Sequence, residues 1–179
     1  MATKKEQIDF VKIVYPASKR LYDSDPENSI SPLFVTAQAA LETGWKVGGI
    51  GNNIFGITKG TSWTGKTQLV LTTEYFQTNT KVFNLPEKVV SIEKCVDRYK
   101  YRVYRLFRVY DRLEDCLADH LAILRKSGYA DAWPYRNDPV EYARRIVDSV
   151  GAKYATGPNY AKTIETMINQ VNEIVKQHL

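Results

Sequence analysis

The chain has 179 residues, 44% hydrophobic and 25% charged, which suits one globular domain with a substantial core. Two cysteines, Cys95 and Cys116, and two histidines, His120 and His178, stand in no metal-ligand spacing, which argues against a disulfide scaffold and a zinc site. A net charge of +5 steers the chain toward polyanions without naming one, and no apolar run reaches the roughly 18 residues of a membrane span.

Apolar residues at Ile8, Val11, Val14, Tyr15 and Leu21 predict a helix over about 5–22, with Pro16 expected to kink or split it. A turn-forming stretch, 23–31, leads to the segment around which the rest is arranged. Ser31 suits an N-cap and Pro32 the first helical position. Leu33, Phe34, Ala37, Ala40 and Leu41 recur at helical spacing, and Gly44 suits the terminator. Glu42 therefore falls at the negative end of the helix dipole, the unfavourable end for an anion, and Trp45 beside it is large enough to exclude water. Both influences favour the neutral acid, and a carboxylic acid that keeps its proton near neutral pH can protonate a leaving group.

Glycines at 48, 49, 51, 56 and 60 then mark a loop, without the order of a phosphate-binding loop. Asn52 and Asn53 can turn it through their side-chain amides, and Phe55 and Ile57 are expected to pack beneath it. Residues 68–76, QLVLTTEYF, read as a strand that carries Glu74. The long basic stretch 77–106 is expected to add two strands. Its lysines and arginines, interleaved with Tyr99, Tyr101 and Tyr104, read as a solvated strand face in preference to a polyanion surface. Asp111 and Glu114 form a predicted capping box ahead of a helix with Leu113, Leu117, Leu121 and Leu124 on its core stripe. Asp138 and Pro139 start a helix to about residue 150, and a last helix from about 158 to 177 presents Ile164, Met167, Ile168, Val171, Ile174 and Val175 on one face.

ALETGW at 40–45 together with NNIFGI at 52–57 resembles the signature of the bacterial glucosaminidases of glycoside hydrolase family 73, peptidoglycan hydrolases related in fold to lysozyme. TTEYF at 72–76, FRVY at 107–110, an ADH element at 118–120 and YATGPNY at 154–160 follow in the family's order. The resemblance covers about 31–174. It departs from the family pattern in the enlarged segment 77–106 and in Gly157, which replaces the usual Asp.

The resemblance implies an α+β, mostly helical, lysozyme-like fold with a small β-lobe at about 66–110 flanking a cleft, within a single catalytic domain spanning 1–179. It assigns catalysis to Glu42 as acid, Glu74 as second carboxylate and Tyr154, with Trp45, Asn53, Phe55 and Tyr160 holding substrate. Glu87 and Glu93 are alternatives for the second carboxylate, and His120 is expected to be structural and hydrogen-bonded. The implied reaction is endo-hydrolysis of the β-1,4 bond between N-acetylglucosamine and N-acetylmuramic acid. The implied partner is a peptidoglycan glycan strand, with no metal or cofactor, no nucleic acid, no membrane insertion and a monomeric state. The alternatives are a muramidase or lytic transglycosylase of the same fold, and a non-catalytic wall-binding or phage structural module. The first residues lack the apolar core of a secretion signal, so the expectation is an enzyme that reaches the wall by export or as a phage endolysin released from the cytoplasm.

Overall fold

The computed structural model describes residues 2–148 and 160–179. Among these residues, five α-helices and a three-stranded antiparallel sheet follow in the order α1 (Lys4–Ser24), α2 (Pro32–Thr43), β1 (Thr67–Phe76), β2 (Lys88–Lys94), β3 (Tyr99–Arg108), α3 (Leu113–Leu124), α4 (Pro139–Asp148) and α5 (Tyr160–His178). The mixed architecture is α+β and mostly helical.

At the centre is α2, which packs against α1, α4 and α5. Every residue from Phe34 to Ala40 is buried, so this helix is enclosed on all sides rather than amphipathic. The small side chains Ala37, Ala39 and Ala40 let neighbouring helices approach, and Phe34 meets Tyr142 of α4 edge to face at 4.9 Å. Around it, Phe10, Val11 and Val14 of α1, Ile164, Ile168 and Val171 of α5, and Leu117 and Leu124 of α3 complete the core.

Some local expectations are met and others revised. Thr3 and Glu6 form a full capping box at the start of α1, and the helix runs unbroken through Pro16. Ser31 is the N-cap of α2, but its side chain makes no capping hydrogen bond; its backbone N–H instead donates to Arg136. The expected Asp111–Glu114 capping box does not form. The N-cap of α3 is Arg112, while Asp111 pairs with Lys66 at 2.6 Å and Glu114 with Arg20 at 2.8 Å. Asp138 caps α4 as its sequence suggests, accepting from the Val140 and Glu141 N–H groups.

In the sheet β3 lies between β1 and β2, with Thr67 opposite Arg108 and Phe76 opposite Tyr99. A bulge separates Val89 from Ser91. The connection from β1 to β2 folds back over one sheet face. There Phe83 packs with Phe76 and Tyr101, and the Tyr101 hydroxyl donates to the Thr78 carbonyl at 2.9 Å. This small cluster, with fully buried Tyr101 and Val103, is the sheet's own core, and Val82, Leu85 and Val96 stay exposed around it.

Candidate active site

The C-terminal end of α2 sets the geometry. Gly44 closes the helix in the left-handed conformation at φ 60° and Trp45 follows at φ 68°, a region that a bulky side chain rarely enters. Two consecutive left-handed residues reverse the chain sharply. They swing the Trp45 ring onto Phe10, edge to face at 5.8 Å, while the glycine-rich loop returns on the other side. Between the helix end and that loop lies an open hollow of about 390 Å³ lined by Glu42, Lys46, Gly48, Gly49, Asn53 and Ile54, among others.

The Glu42 carboxyl reaches solvent through this hollow, yet surrounding protein strips enough of its hydration to raise its pKa above the ordinary carboxylate value. Among the described residues it has no ion pair. A raised pKa and no cationic partner are the conditions for an acid that holds a proton and can release it to a ligand. Trp45, expected beside Glu42, lines a separate hollow of about 810 Å³ behind the turn instead, because its left-handed backbone points the ring toward α1. Among the described residues, the carboxylate lining that larger hollow is Glu6, which is engaged in capping α1.

The loop wall is rigidly held. Asn53 is buried; its amide nitrogen donates to the Ile57 and Arg108 carbonyls and its oxygen accepts from the Ile57 N–H. Asn52 reaches the Tyr110 carbonyl at 2.9 Å. Gly51 lies so close to β3's exit that an added Cβ would stand 2.5 Å from a methyl of Val109. Phe55 stacks on His120 at 3.7 Å with the rings nearly parallel. Asn53 thus borders the hollow with its hydrogen-bonding groups turned into the chain, and Phe55 faces the core.

His120 is buried, and loss of hydration pushes its pKa down to about 3. Its Nε2 has no hydrogen-bond partner among the described residues, so stacking on Phe55 and packing hold it, not the expected hydrogen bond.

Glu74 stands elsewhere. It shares the guanidinium of Arg105 with Glu87, at 2.5 Å and 2.9 Å, on the sheet face covered by the β1–β2 connection. Glu87 also accepts the Leu106 N–H and lines a hollow of about 350 Å³ with Lys59, Asn84 and Arg105. Glu93 pairs with Lys100 at 3.3 Å. None of the three lines the Glu42 hollow. Tyr160, at the start of α5, lies close enough to Glu42 for the carboxylate to raise its pKa, although burial is the larger cause. Tyr154 lies outside the described residues.

Two arrangements here were not deduced from sequence. Arg108 of FRVY donates from one guanidinium nitrogen, Nη1, to both carboxylate oxygens of Asp119 of the ADH element, at 2.7 and 2.9 Å, and the Tyr110 hydroxyl donates to the same carboxylate at 2.5 Å. Trp63 covers the Arg108 guanidinium at 5.0 Å. This clamp fixes the root of the sheet to α3. The second is Gln38, one helical turn before Glu42, fully buried and bonded to Tyr160. Its i, i+4 spacing to Glu42 is the signal that could have found it.

Known proteins resemble this chain in sequence and in fold. The chain is 30% identical over 145 residues to peptidoglycan hydrolase FlgJ of Salmonella typhimurium, covering 76% of this chain and 38% of that protein. It is 27% identical over 173 residues to a probable N-acetylmuramidase of Lactococcus lactis, covering 91% of this chain and 33% of that one. The chain thus spans little more than a third of the length of the curated relatives it matches. Among solved structures, a peptidoglycan hydrolase mutant from Sphingomonas sp. A1 superposes with a TM-score of 0.67 at 26% identity, covering 96% of this chain and 99% of that one. The family profile described as mannosyl-glycoprotein endo-beta-N-acetylglucosaminidase matches residues 19–173. An unpaired acid at the end of a buried helix, against a glycine-rich wall, sits inside that match, and the chain belongs to the glucosaminidase family.

Proposed function

We propose that this chain is a catalytic domain that hydrolyses peptidoglycan, acting as an endo-β-N-acetylglucosaminidase on the β-1,4 bond between N-acetylglucosamine and N-acetylmuramic acid. The observation that carries this reading is Glu42: a carboxyl of raised pKa, without an ion pair among the described residues, facing an open hollow at the end of α2. The family membership and the peptidoglycan hydrolases among its relatives support the substrate.

In the proposed reaction Glu42 gives its proton to the glycosidic oxygen as the bond to the anomeric carbon breaks. Positive charge then develops on the sugar ring. Glu74, or the substrate's own N-acetyl group, meets that charge, and water completes hydrolysis. For Glu74 to act it must exchange its contact with Arg105 for one with the sugar or the attacking water. Asn53, Phe55 and Trp45 serve by fixing the loop that forms the wall, and Tyr160 stands beside the acid. Tyr154 is assigned a place near the acid through the family motif. The described chain works as one unit in this reading, with the sheet as the smaller lobe. Among the described residues no helix is long and apolar enough to cross a membrane, and no cluster of His, Cys, Asp and Glu would hold a metal.

The Lactococcus lactis relative favours a second reading, in which the neighbouring glycosidic bond is cut. Clearing of purified peptidoglycan by wild type and Glu42→Gln, followed by product masses, tests both. Clearing that is lost in Glu42→Gln, with reducing N-acetylglucosamine ends, is the expected result. Reducing N-acetylmuramic ends establish the muramidase, anhydro-muramic ends a transglycosylase, and an inactive wild type on several walls a binding module.

A further inference from the structure

The register of the sheet sorts its cations onto one side. Cross-strand rows through β3 align Lys88 with Tyr104 and Leu71, Ser91 with Arg102 and Thr73, and Glu93 with Lys100 and Tyr75. Paired residues share a face, so these side chains stand together. The Arg102 guanidinium donates to the Thr73 hydroxyl at 2.9 Å and Lys100 meets Glu93 at 3.3 Å, as that register requires. The opposite face holds the buried Tyr101 and Val103, with Glu74 and Arg105. On the first face Arg102 lies open, and the Tyr104 and Tyr75 rings are 38% and 50% exposed.

Charge on this open face is one-sided. Lys88, Lys100 and Arg102 are joined by Arg98, whose guanidinium lies over the Tyr75 ring at 4.8 Å. The acids beside them are Glu93, on Lys100, and Asp97, on Arg98 at 3.5 Å, and both pairs are open to solvent, which weakens them. Among the described residues Lys88 and Arg102 make no ion pair. Lys100 and Arg102, two residues apart on one strand face, repel each other, and with Lys88 they raise a positive field that attracts a polyanion.

The rings discriminate between polyanions. Single-stranded nucleic acid is held by successive open rings on which bases stack. Here Arg98 already covers Tyr75, and Tyr104 stands between Lys88 and Leu71 in its row. Such a surface suits repeated phosphates joined by small polyols or sugars. We propose that the open face of the sheet binds an anionic phosphodiester polymer of the cell wall and so holds the domain on the wall while Glu42 acts on the glycan. The setting at the wall rests on the proposed hydrolase function; the binding itself does not.

The test is equilibrium binding of the full chain to immobilised poly(glycerol phosphate), which contains no glycosidic bond for Glu42 to act on. Wild type is expected to bind, and to release as rising salt screens surface charge. Lys88→Gln with Arg102→Gln should weaken binding about twenty-five-fold, about fivefold per cation, the usual worth of a basic residue at an anionic surface. Lys81→Gln with Lys94→Gln removes the same charge from the opposite face, where Lys94 pairs with Tyr99 and Lys81 lies over Phe76. That pair should change binding by about twofold or less. Wall stripped of phosphodiester polymer should be digested equally by wild type and the Lys88→Gln, Arg102→Gln variant, whereas wall that carries the polymer should be cleared about tenfold more slowly by the variant at low enzyme concentration.

Absence of binding overturns the proposal, and so does an equal loss in the Lys81→Gln, Lys94→Gln pair, which would reduce the effect to net charge. Tighter binding of single-stranded DNA of equal charge, lost in the Lys88→Gln, Arg102→Gln variant, would make the face a nucleic-acid surface instead. A mass that rises with concentration in wild type and not in that variant would make it a contact between copies. Melting curves check the fold, and where the paired variant does not fold, Lys88→Gln alone carries the fivefold test. Should Glu42→Gln keep wild-type turnover, the hydrolase reading fails, while polymer binding still decides what this face does.

Discussion

The helical lobe and the sheet treat their carboxylates in opposite ways. In the helical lobe Glu42 has no ion pair among the described residues, and protein around it removes hydration and raises its pKa above the ordinary carboxylate value. In the sheet, Glu74 and Glu87 share Arg105, and Glu93 has Lys100. The packing follows the same division. The residues from Phe34 to Ala40 are all buried, whereas β1 and β2 contain no buried residue and β3 is buried only at Tyr101, Val103, Phe107 and Arg108. A helix that needs nothing from solvent can carry an uncompensated acid at its tip. A thin sheet with only a small core of its own pairs its acids with arginine and lysine. Chemical identity is the same in the two regions; surroundings decide which carboxyl can act as an acid.

The strongest way to break this contrast is to remove the proton donor alone. Glu42→Gln keeps the size and hydrogen-bonding ability of the side chain, so folding should be unchanged. Peptidoglycan turnover is expected to drop by about a thousandfold, within the usual worth of a general acid. Initial rates of turbidity loss, with melting temperature as the control, measure it. Retained turnover would mean that the unpaired acid of the helical lobe is idle.

Next in size is the joint between the two regions. Arg108 and Asp119 are nearly enclosed, with 10% and 20% of their side chains exposed, and Tyr110 and Trp63 complete the enclosure. Arg108→Leu leaves the Asp119 carboxylate facing the core without its guanidinium. About 3 kcal/mol of stability should be lost, since breaking one side of a buried pair strands the other charge. Asp119→Asn, which keeps the shape and some hydrogen bonding, should cost less. Urea unfolding of both variants reads the difference.

Much of this was legible in the sequence because its cause is local. Periodic apolar residues fixed the helices, β-branched runs the strands, and a helix stop at Gly44 placed Glu42 at a helix end. What escaped prediction depends on contacts between distant segments. FRVY and the ADH element were each visible, but that Arg108 and Tyr110 converge on Asp119 follows from how β3 leads into α3. The direction of the Trp45 ring depends on a positive φ that no propensity for tryptophan suggests. The absent Asp111–Glu114 box shows the same limit: both side chains found cations on other elements, Lys66 and Arg20, which outcompeted a local cap. Gln38 reads as an ordinary polar residue until the fold encloses it.

A smaller effect probes the buried histidine behind the loop wall. The folded His120 has its pKa pushed down to about 3 by burial, against about 6.5 in an unfolded chain. Between those values the unfolded state binds a proton that the folded state refuses. The stability is therefore complete above about pH 6.5 and falls with acidification toward pH 3, by about 1.4 kcal/mol per pH unit at most. Between pH 7 and 5 the loss from this group should be about 2 kcal/mol. His120→Phe, which preserves stacking on Phe55, should flatten that part of the stability–pH curve in a series of urea titrations; an unchanged slope would place the acid sensitivity elsewhere.

The smallest of these effects bears most directly on the contrast between the lobes. Glu74 is held by Arg105 in the resting chain, and Glu87 is held by the same guanidinium and by the Leu106 N–H. If the sheet's carboxylates matter to chemistry, Glu74 can help only after releasing that contact, whereas the substrate's N-acetyl group needs no release. Glu74→Gln should therefore lower kcat by about tenfold, well short of the loss in Glu42→Gln, and Glu87→Gln should lower the melting temperature with kcat nearly intact. Rates and melting curves for the two variants separate the possibilities. A loss in Glu74→Gln as large as that of Glu42→Gln would mean that the ion pair opens readily on substrate binding and the two lobes contribute equal partners to the reaction. A full exchange of the two outcomes, with Glu87 affecting rate and Glu74 only stability, would move the second carboxylate to the mouth of the hollow that Glu87 lines with Lys59 and Asn84.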